Sequence, residues 1–382
     1  MDHPLLNEQH NLIRESVRDF AEREIKPIAK ELDDKQQFSI ELTQKMGEIG
    51  LFGMIVSPDY GGQGMDYLSY IIAVEELARI DSSQAATVAA GNSLGMNPIF
   101  YFGNEEQKKK YLPVLCTGKK LWGFGLTEPN AGSDSRNSKT IAKLVDGNWI
   151  INGSKIFITN ASTEITLGST VQAVSGDNGK EKEFTAIIVE NETPGFTVKT
   201  MHDKMMWRAS NTAELYFDDC KVAENNVLGK RGEGSKIMLN TLDCGRLAIG
   251  AMGLGLAQGA FELAMKYAQE RVQFGKPICK QQVISFKLAD MALKIELARN
   301  LLYKACWLKD HHKPFALEAA MSKLYCSEVA QQVANEAVQI HGGYGLMKDY
   351  DIERLFRDQR LLQIGEGTSE IQRLVISRYI GC

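Results

Sequence analysis

Four short segments of this 382-residue chain set glycines beside an acid, hydroxyls or an arginine, residue types that can do chemistry. The segment Gln363-Ile364-Gly365-Glu366-Gly367-Thr368-Ser369-Glu370 places one carboxylate between two glycines, just before an amphipathic helical pattern. A glutamate flanked in this way can swing or face a flat ligand, and an apolar cleft would raise its pKa toward the range of a general base. Alone, the same pattern is more often an exposed loop acid. The segment Phe124-Gly125-Leu126-Thr127-Glu128-Pro129-Asn130-Ala131-Gly132-Ser133-Asp134 offers small residues and hydroxyls that let main-chain N–H groups approach a ligand closely. A polar turn ahead of a strand would look the same. The segment Gln339-Ile340-His341-Gly342-Gly343-Tyr344-Gly345-Leu346, followed by Asp349, Arg354 and Asp358, can pass close to another backbone or a diphosphate, or simply cap a helix. Arg271-Val272-Gln273-Phe274-Gly275-Lys276-Pro277, with Gln281-Gln282 behind it, carries a planar guanidinium suited to two phosphate oxygens, although an arginine at a helix end is more often a solvated cap.

These segments need elements to hold them. From residue 5 to 120 apolar residues recur at helical spacing, as at Leu12, Ile13, Val17, Phe20, Ala21 and Ile25. Helices are expected there, broken at Pro27, at Pro58-Asp59-Tyr60-Gly61-Gly62 and at Pro98. Between 121 and 232 the texture changes to short runs such as Trp149-Ile150-Ile151, Lys155-Ile156-Phe157-Ile158-Thr159 and Phe184–Val189. Asp146-Gly147-Asn148, Asn152-Gly153 and Thr193-Pro194-Gly195 are read as the turns between strands. After Gly232 alanine- and leucine-rich stretches at 247–271 and 282–310 can hold a four-helix bundle. The expected fold is therefore α+β and multidomain, with a helical domain over 1–120, a β domain over 121–232 and a helical bundle over 233–382.

Composition narrows the function. With 44 basic and 48 acidic residues the net charge is -4, an ordinary globular balance, and no nucleic-acid partner is expected. No apolar run of roughly 18 residues stands out, so no membrane span is expected. The start, Met1-Asp2-His3-Pro4, lacks the pattern of a secretory leader. The 7 cysteines form no C-x-x-C pair and no histidine stands at ligand spacing, so reduced thiols, no metal and a cytoplasmic location are expected.

In this order and at this spacing, the four segments resemble the acyl-CoA dehydrogenase family, and the resemblance runs from the helical amino-terminal third to Arg373. Gly125–Asp134 and Gln339–Asp358 match the family's two usual signatures, with Asn137 where the first normally ends in a small residue. Gly91-Asn92-Ser93-Leu94-Gly95, continued by Asn104–Leu112, looks most like the medium-chain members, within an overall texture of short- and medium-chain relatives.

The resemblance implies an FAD enzyme. Glu366 would take a proton from Cα of an acyl-CoA while the flavin takes a hydride from Cβ, leaving a 2,3-enoyl-CoA. Electrons would pass to an electron-transfer flavoprotein, and the assembly would be a homotetramer. Phe124, Leu126, Thr127, Gly132, Ser133, Phe157, Ile158 and Thr159 would line the flavin ring, with Ser133 also near CoA. Arg271, Phe274, Gln282, Gln339, Gly342 and Gly343 would hold the FAD diphosphate and adenosine across a subunit interface, completed by Thr368 and Glu370. Asp243 and Arg246 match positions that contact CoA, and Gly91, Gly365 and Gly367 belong to the substrate set. Some relatives carry the base immediately before the arginine equivalent to Arg246, where this chain has Gly245, so Glu366 is the one candidate at either position. The alternatives are an acyl-CoA oxidase-like protein, an enoyl-CoA reductase, or a redox-inactive acyl-CoA binding or assembly protein.

Relatives usually have a large aromatic side chain at the position of Gly365, and its absence should open space beside Cα and Cβ. A branched or alicyclic acyl group is expected, unless the glycine only loosens the loop. Ala85 stands where glutaryl-CoA relatives carry an arginine, which disfavours a dicarboxyl substrate unless Arg79 or Arg136 serves by another geometry.

Overall fold

The computed structural model describes residues 3–177, 179 and 181–382. Helix α1 (Glu8–Phe20) starts with a reciprocal cap, in which the Asn7 side chain accepts from the His10 N–H and the His10 ring accepts from the Asn7 N–H. It continues through a wide π-helical turn, Ala21–Ile25, directly into α2 (Lys26–Lys35). The break expected at Pro27 is therefore absent. A proline has no N–H and its ring crowds the turn before it, and widening that turn just upstream relieves both problems without ending the helix.

After α3 (Ile40–Glu48) the chain does break at the Pro58–Tyr60 turn, then forms α4 (Tyr67–Ile80), buried along its whole length. The solution used at Pro27 recurs at Pro98, where α5 (Ser82–Ala90), a π-helical turn at Gly91–Met96 and α6 (Asn97–Phe102) are contiguous. Helix α7 (Glu105–Leu115) closes this region with an Asn104–Gln107 capping box.

Strands β1 (Leu121–Gly125), β2 (Ile141–Val145), β3 (Asn148–Thr159), β4 (Thr166–Asp177), β5 (Lys182–Glu190), β6 (Phe196–Thr200), β7 (Thr212–Ala223) and β8 (Val227–Leu228) form one sheet. Its order is β6-β7-β3-β2-β4-β5-β8, with β1 parallel to β4. Asn152-Gly153, expected as a turn, is instead a bulge inside the continuous strand β3. Gly153 sits at φ 143°, and a Cβ there would lie 2.7 Å from the Thr140 backbone, so only glycine fits. Asn152 secures the bulge by two 2.9 Å bonds with Asp219. The sheet has its own core around Trp149, Ile151, Val171, Leu215 and Phe217.

The rest is helical: α8 (Gly234–Glu270), a hairpin of β9 (Val272–Gln273) and β10 (Lys276–Pro277), α9 (Gln282–Asp310), α10 (Ala316–His341), α11 (Ile352–Leu362) and α12 (Ser369–Tyr379). Helices α8, α9 and α10 pack together, and the shorter α11 and α12 lie against α10. Among the described residues α8 alone is long and apolar enough to cross a bilayer, which the sequence reading did not anticipate. Its apolar window is 78% buried, because α8 is a core helix clasped by α4 and α10.

Candidate active site

The loop between α11 and α12 carries Glu366 in a left-handed conformation, φ 53°, which is uncommon for a residue with a side chain. Three groups hold the loop. Lys323 of α10 donates to Gly367 O at 2.6 Å, and Gln372 of α12 donates to Gly367 O at 2.9 Å and Glu366 O at 3.2 Å. Thr368 caps α12 by accepting from the Ile371 N–H. The residue is half-buried, but Glu366 Oε2 is fully enclosed and has no hydrogen-bond partner among the described residues. Burial pushes the carboxyl up to about 7, against the opposing charges of Lys323 and Arg246.

The carboxylate points at Gly245 of α8. A Cβ added there would stand 2.7 Å from its carboxyl carbon and closer still to Oε2, so the missing side chain makes the room that the carboxylate fills. The two chain positions considered for a base thus converge on one place. Beside it Arg246 pairs with Asp243 at 2.5 Å, and the buried Arg246 Nε is left unpartnered. Gly365 faces its own helix end, where an added Cβ would lie 2.9 Å from Leu361 Cδ2. Gly91 packs on the Phe52 ring. Arg79 is buried and engaged by three carboxylates of its own chain, Glu22, Glu76 and Glu262.

A second loop follows β1. Phe124 and Leu126 are buried, Thr127 is half-buried, and Gly132 and Ser133 are exposed beyond the tight Glu128–Ala131 turn. Ile156 N–H donates to Thr127 O at 2.9 Å, which joins this loop to β3. A second bulge in β3 sets Phe157 at φ 63° and turns its ring outward, 63% exposed, between buried Ile158 and the loop. Thr159 ends the strand.

Arg271, Gly342 and Gly343 line a cavity of about 580 Å³ with Tyr267, His341 and Tyr344. The Arg271 guanidinium lies 5.7 Å over the Tyr344 ring. Phe274, 95% exposed at the tip of the β9–β10 hairpin, Gln282, Gln339 and Glu370 project to solvent outside this cavity. None of the residues around Thr127 and Phe157 reaches the cavity wall, so within this chain the two groups lie apart. Asp349 is exposed, whereas Arg354 and Asp358 are buried struts. Arg354 pairs with Asp81 at 2.6 Å, and Asp358 accepts from the Trp207 N–H at 2.8 Å, fastening the β6–β7 connection to α11.

Comparison with known proteins identifies the family of the whole chain. Residues 7–119, 123–220 and 232–381 match the N-terminal, middle and C-terminal domains of acyl-CoA dehydrogenase. The chain belongs to the acyl-CoA dehydrogenase family. It is 48% identical to the probable acyl-CoA dehydrogenase YngJ of Bacillus subtilis over 98% of both chains. It superposes on butyryl-CoA dehydrogenase of Megasphaera elsdenii with a TM-score of 0.95 at 45% identity, covering 100% of both chains. A chain in the structure of the electron transferring flavoprotein of Acidaminococcus fermentans gives 0.96 at 44% identity, again over 100% of both. The acyl-CoA dehydrogenase of Bacillus anthracis complexed with FAD gives 0.91 at 35% identity, covering 98% of this chain and 68% of that one.

Lys323 and the bond-making role of Gln372 escaped the sequence reading. Lys323 falls in register with Ala319, Ala320, Cys326, Ser327 and Ala330, all buried on one face of α10. A lysine on a face of small residues is the signal that would have found it.

Proposed function

We propose that this family member is an FAD-dependent acyl-CoA dehydrogenase that converts an acyl-CoA to its 2,3-enoyl-CoA, with Glu366 as the base. The observation that carries the reading is a buried carboxylate oxygen with no partner, facing a glycine and held near neutral pKa. Such an oxygen can accept a proton from a carbon acid placed against it, and preorganised donors at the thioester carbonyl would stabilise the charge that develops.

The residues fit FAD. Phe157 offers an outward ring beside Thr127 and Thr159, while the Arg271 cavity has a guanidinium and two glycines at which an added Cβ would meet nothing within 4 Å. Bound FAD would accept the hydride leaving Cβ. Phe124, Leu126, Ile158, Gly132 and Ser133 would flank the ring; Arg271, Phe274, Gln282, Gln339, Gly342, Gly343, Thr368 and Glu370 would hold the rest between subunits. Asp243, Arg246, Gly91, Gly365 and Gly367 would serve the acyl-CoA.

A homotetramer belongs to this reading, because α9 and α12 expose Val283, Phe286, Leu293, Leu297 and Leu374 in patches suited to other copies. An electron-transfer flavoprotein would take the electrons. The 7 free cysteines suit a reducing, cytoplasmic setting. The domain limits 1–120, 121–232 and 233–382 follow the change from helix to strand and back. The M. elsdenii relative supports a short acyl group, and the bare Gly365 favours one that is branched or alicyclic.

The test is Glu366→Gln in the yellow, FAD-loaded protein. FAD and butyryl-CoA should still bind, while anaerobic flavin bleaching slows by at least about 100-fold. Bleaching at the wild-type rate would move the base elsewhere.

A further inference from the structure

Lys323 is wholly buried, yet its ammonium finds a single acceptor, Gly367 O, the carbonyl next in the chain to Glu366. An ammonium has three donors, and burying it without matching acceptors is costly. Helices α8 and α10 pack closely on this side, where a Cβ added at Gly253 would stand 2.9 Å from the Cys326 backbone O. A neutral residue would satisfy packing here at lower cost. What a neutral residue could not do is place a positive charge behind the base loop.

We propose that Lys323 is the positioning residue of the catalytic base, tying the Gly367 carbonyl to α10 and presenting the positive charge that faces the Glu366 carboxylate. The inference rests on the reading of Glu366 as base and adds to it what holds and tunes that base. The loop between α11 and α12 has two glycines around Glu366 and would otherwise be free to swing. The lysine fixes it from the helix that α12 packs against, while Gln372 fixes it from α12 itself.

The other ionisable groups facing Glu366 do not substitute for Lys323. Arg246 of α8 is already paired with Asp243. Tyr70 of α4 and Cys244 of α8 are held neutral by burial, which raises both. Glu370 of α12 is exposed and opposite in sign. Burial pulls the Lys323 ammonium down to about 8, with Glu366 opposing that pull, so it is charged at the pH where the base must be ionised. A positive charge favours the carboxylate, so removing it must raise the pH at which Glu366 becomes a base.

Two neutral variants separate the tie from the charge. Lys323→Gln can still donate to Gly367 O, whereas Lys323→Met cannot. Both relieve a buried charge and should fold, with FAD content and butyryl-CoA binding measured to verify it. Anaerobic flavin reduction by butyryl-CoA would be followed across pH beside Glu366→Gln. The rising limb should move to higher pH by at least about one unit in both variants, lowering the rate at pH 6 by about 10-fold or more. At high pH Lys323→Gln should return to near the wild-type plateau, and Lys323→Met should remain about 10-fold below it because its loop is untied. A wild-type limb and plateau in both variants, with Glu366→Gln inactive, overturns the role of Lys323 alone. An active Glu366→Gln overturns it together with the assignment of the base.

Discussion

Two buried lysines each hold a loop of the site, and they differ in what they are given. Lys155 of β3 donates to Leu126 O at 3.2 Å and to Glu128 Oε1 at 2.8 Å, and Glu128 also accepts from the Lys139 and Thr140 N–H groups. That cluster is closed, with each charge answered on the spot. Lys323 has a carbonyl and no dedicated carboxylate, and around it Glu366 Oε2, Arg246 Nε, Ser369 Oγ and Gln372 Oε1 are buried without partners. Satisfied polar clusters rigidify a structure, whereas a buried group left unanswered costs stability and remains available to a ligand. The loop after β1 is thus closed on itself, and the loop around Glu366 is left with buried groups that a ligand could engage.

The largest effect that could break this contrast is on stability at the closed cluster. Lys155→Met would leave the Glu128 carboxylate buried with two backbone donors and no counter-charge, and breaking a buried pair in this way typically costs about 3–5 kcal/mol. Urea unfolding at pH 7 should show a loss of that order, together with weaker FAD retention, because the same loop carries Thr127. Stability within about 1 kcal/mol of wild type would mean that the two lysines are equivalent after all.

The second effect has opposite signs at the two carboxylates. Glu366 is raised from 4.5 to about 7 by burial, so its folded state prefers the proton. Its ionisation therefore costs nothing below about pH 4.5, costs progressively more up to about pH 7, and is fully paid only above that. A shift of this size corresponds to about 3–4 kcal/mol as an upper bound. Glu366→Gln should accordingly be more stable than wild type, with an advantage that grows from pH 5 to pH 7 and then levels off. At Glu128 burial pushes the pKa up, but Lys155 and its donors outweigh it and hold it low. Its contribution is present at neutral pH and lost as pH falls, so Glu128→Gln should destabilise at pH 7. Parallel melting curves of the two variants decide the point, and a common sign would remove the distinction.

Much of this contrast was legible in the sequence on one side only. The order of helical, strand and helical regions follows from periodicity, whereas Gly365-Glu366-Gly367 alone reads more often as an exposed loop acid and stood out as a base only in company with the other three segments. Lys323 was not legible, since a lysine in a helix reads as solvent-facing and only the small residues at its register betray burial. Gly245 was read for the base it lacks, not for the room it gives Glu366, because that close approach joins residues far apart in the chain. Pro27, Pro98 and Asn152-Gly153 were read as breaks from local chemistry. Tertiary packing retained the helices through π-helical turns and the strand through a bulge, since ending either element would have exposed its buried face.

The smallest effect concerns how open the reactive loop is toward substrate. The reading of Gly365 as room for a bulky acyl group predicts that Gly365→Tyr penalises a branched or cyclic acyl-CoA more than a straight one of equal length. The first atom in the way of a new side chain is Leu361 Cδ2, at 2.9 Å, the movable end of a flexible residue. Part of the strain can therefore relax. A cost in the lower part of the usual range for overpacking follows, about 1–2 kcal/mol, which shifts the ratio of specificity constants by about 5- to 30-fold toward the straight chain. If Gly365 serves only loop freedom, both substrates slow together and the ratio is unchanged. The loop after β1 supplies the control, because Gly132 lies on a loop fixed by Lys155 and Glu128 and would flank the flavin and not the acyl group, so any effect of Gly132→Ala should fall on both substrates alike. That change should leave the ratio as it was, so a shift confined to Gly365→Tyr would locate acyl selectivity on the loop that Lys323 holds.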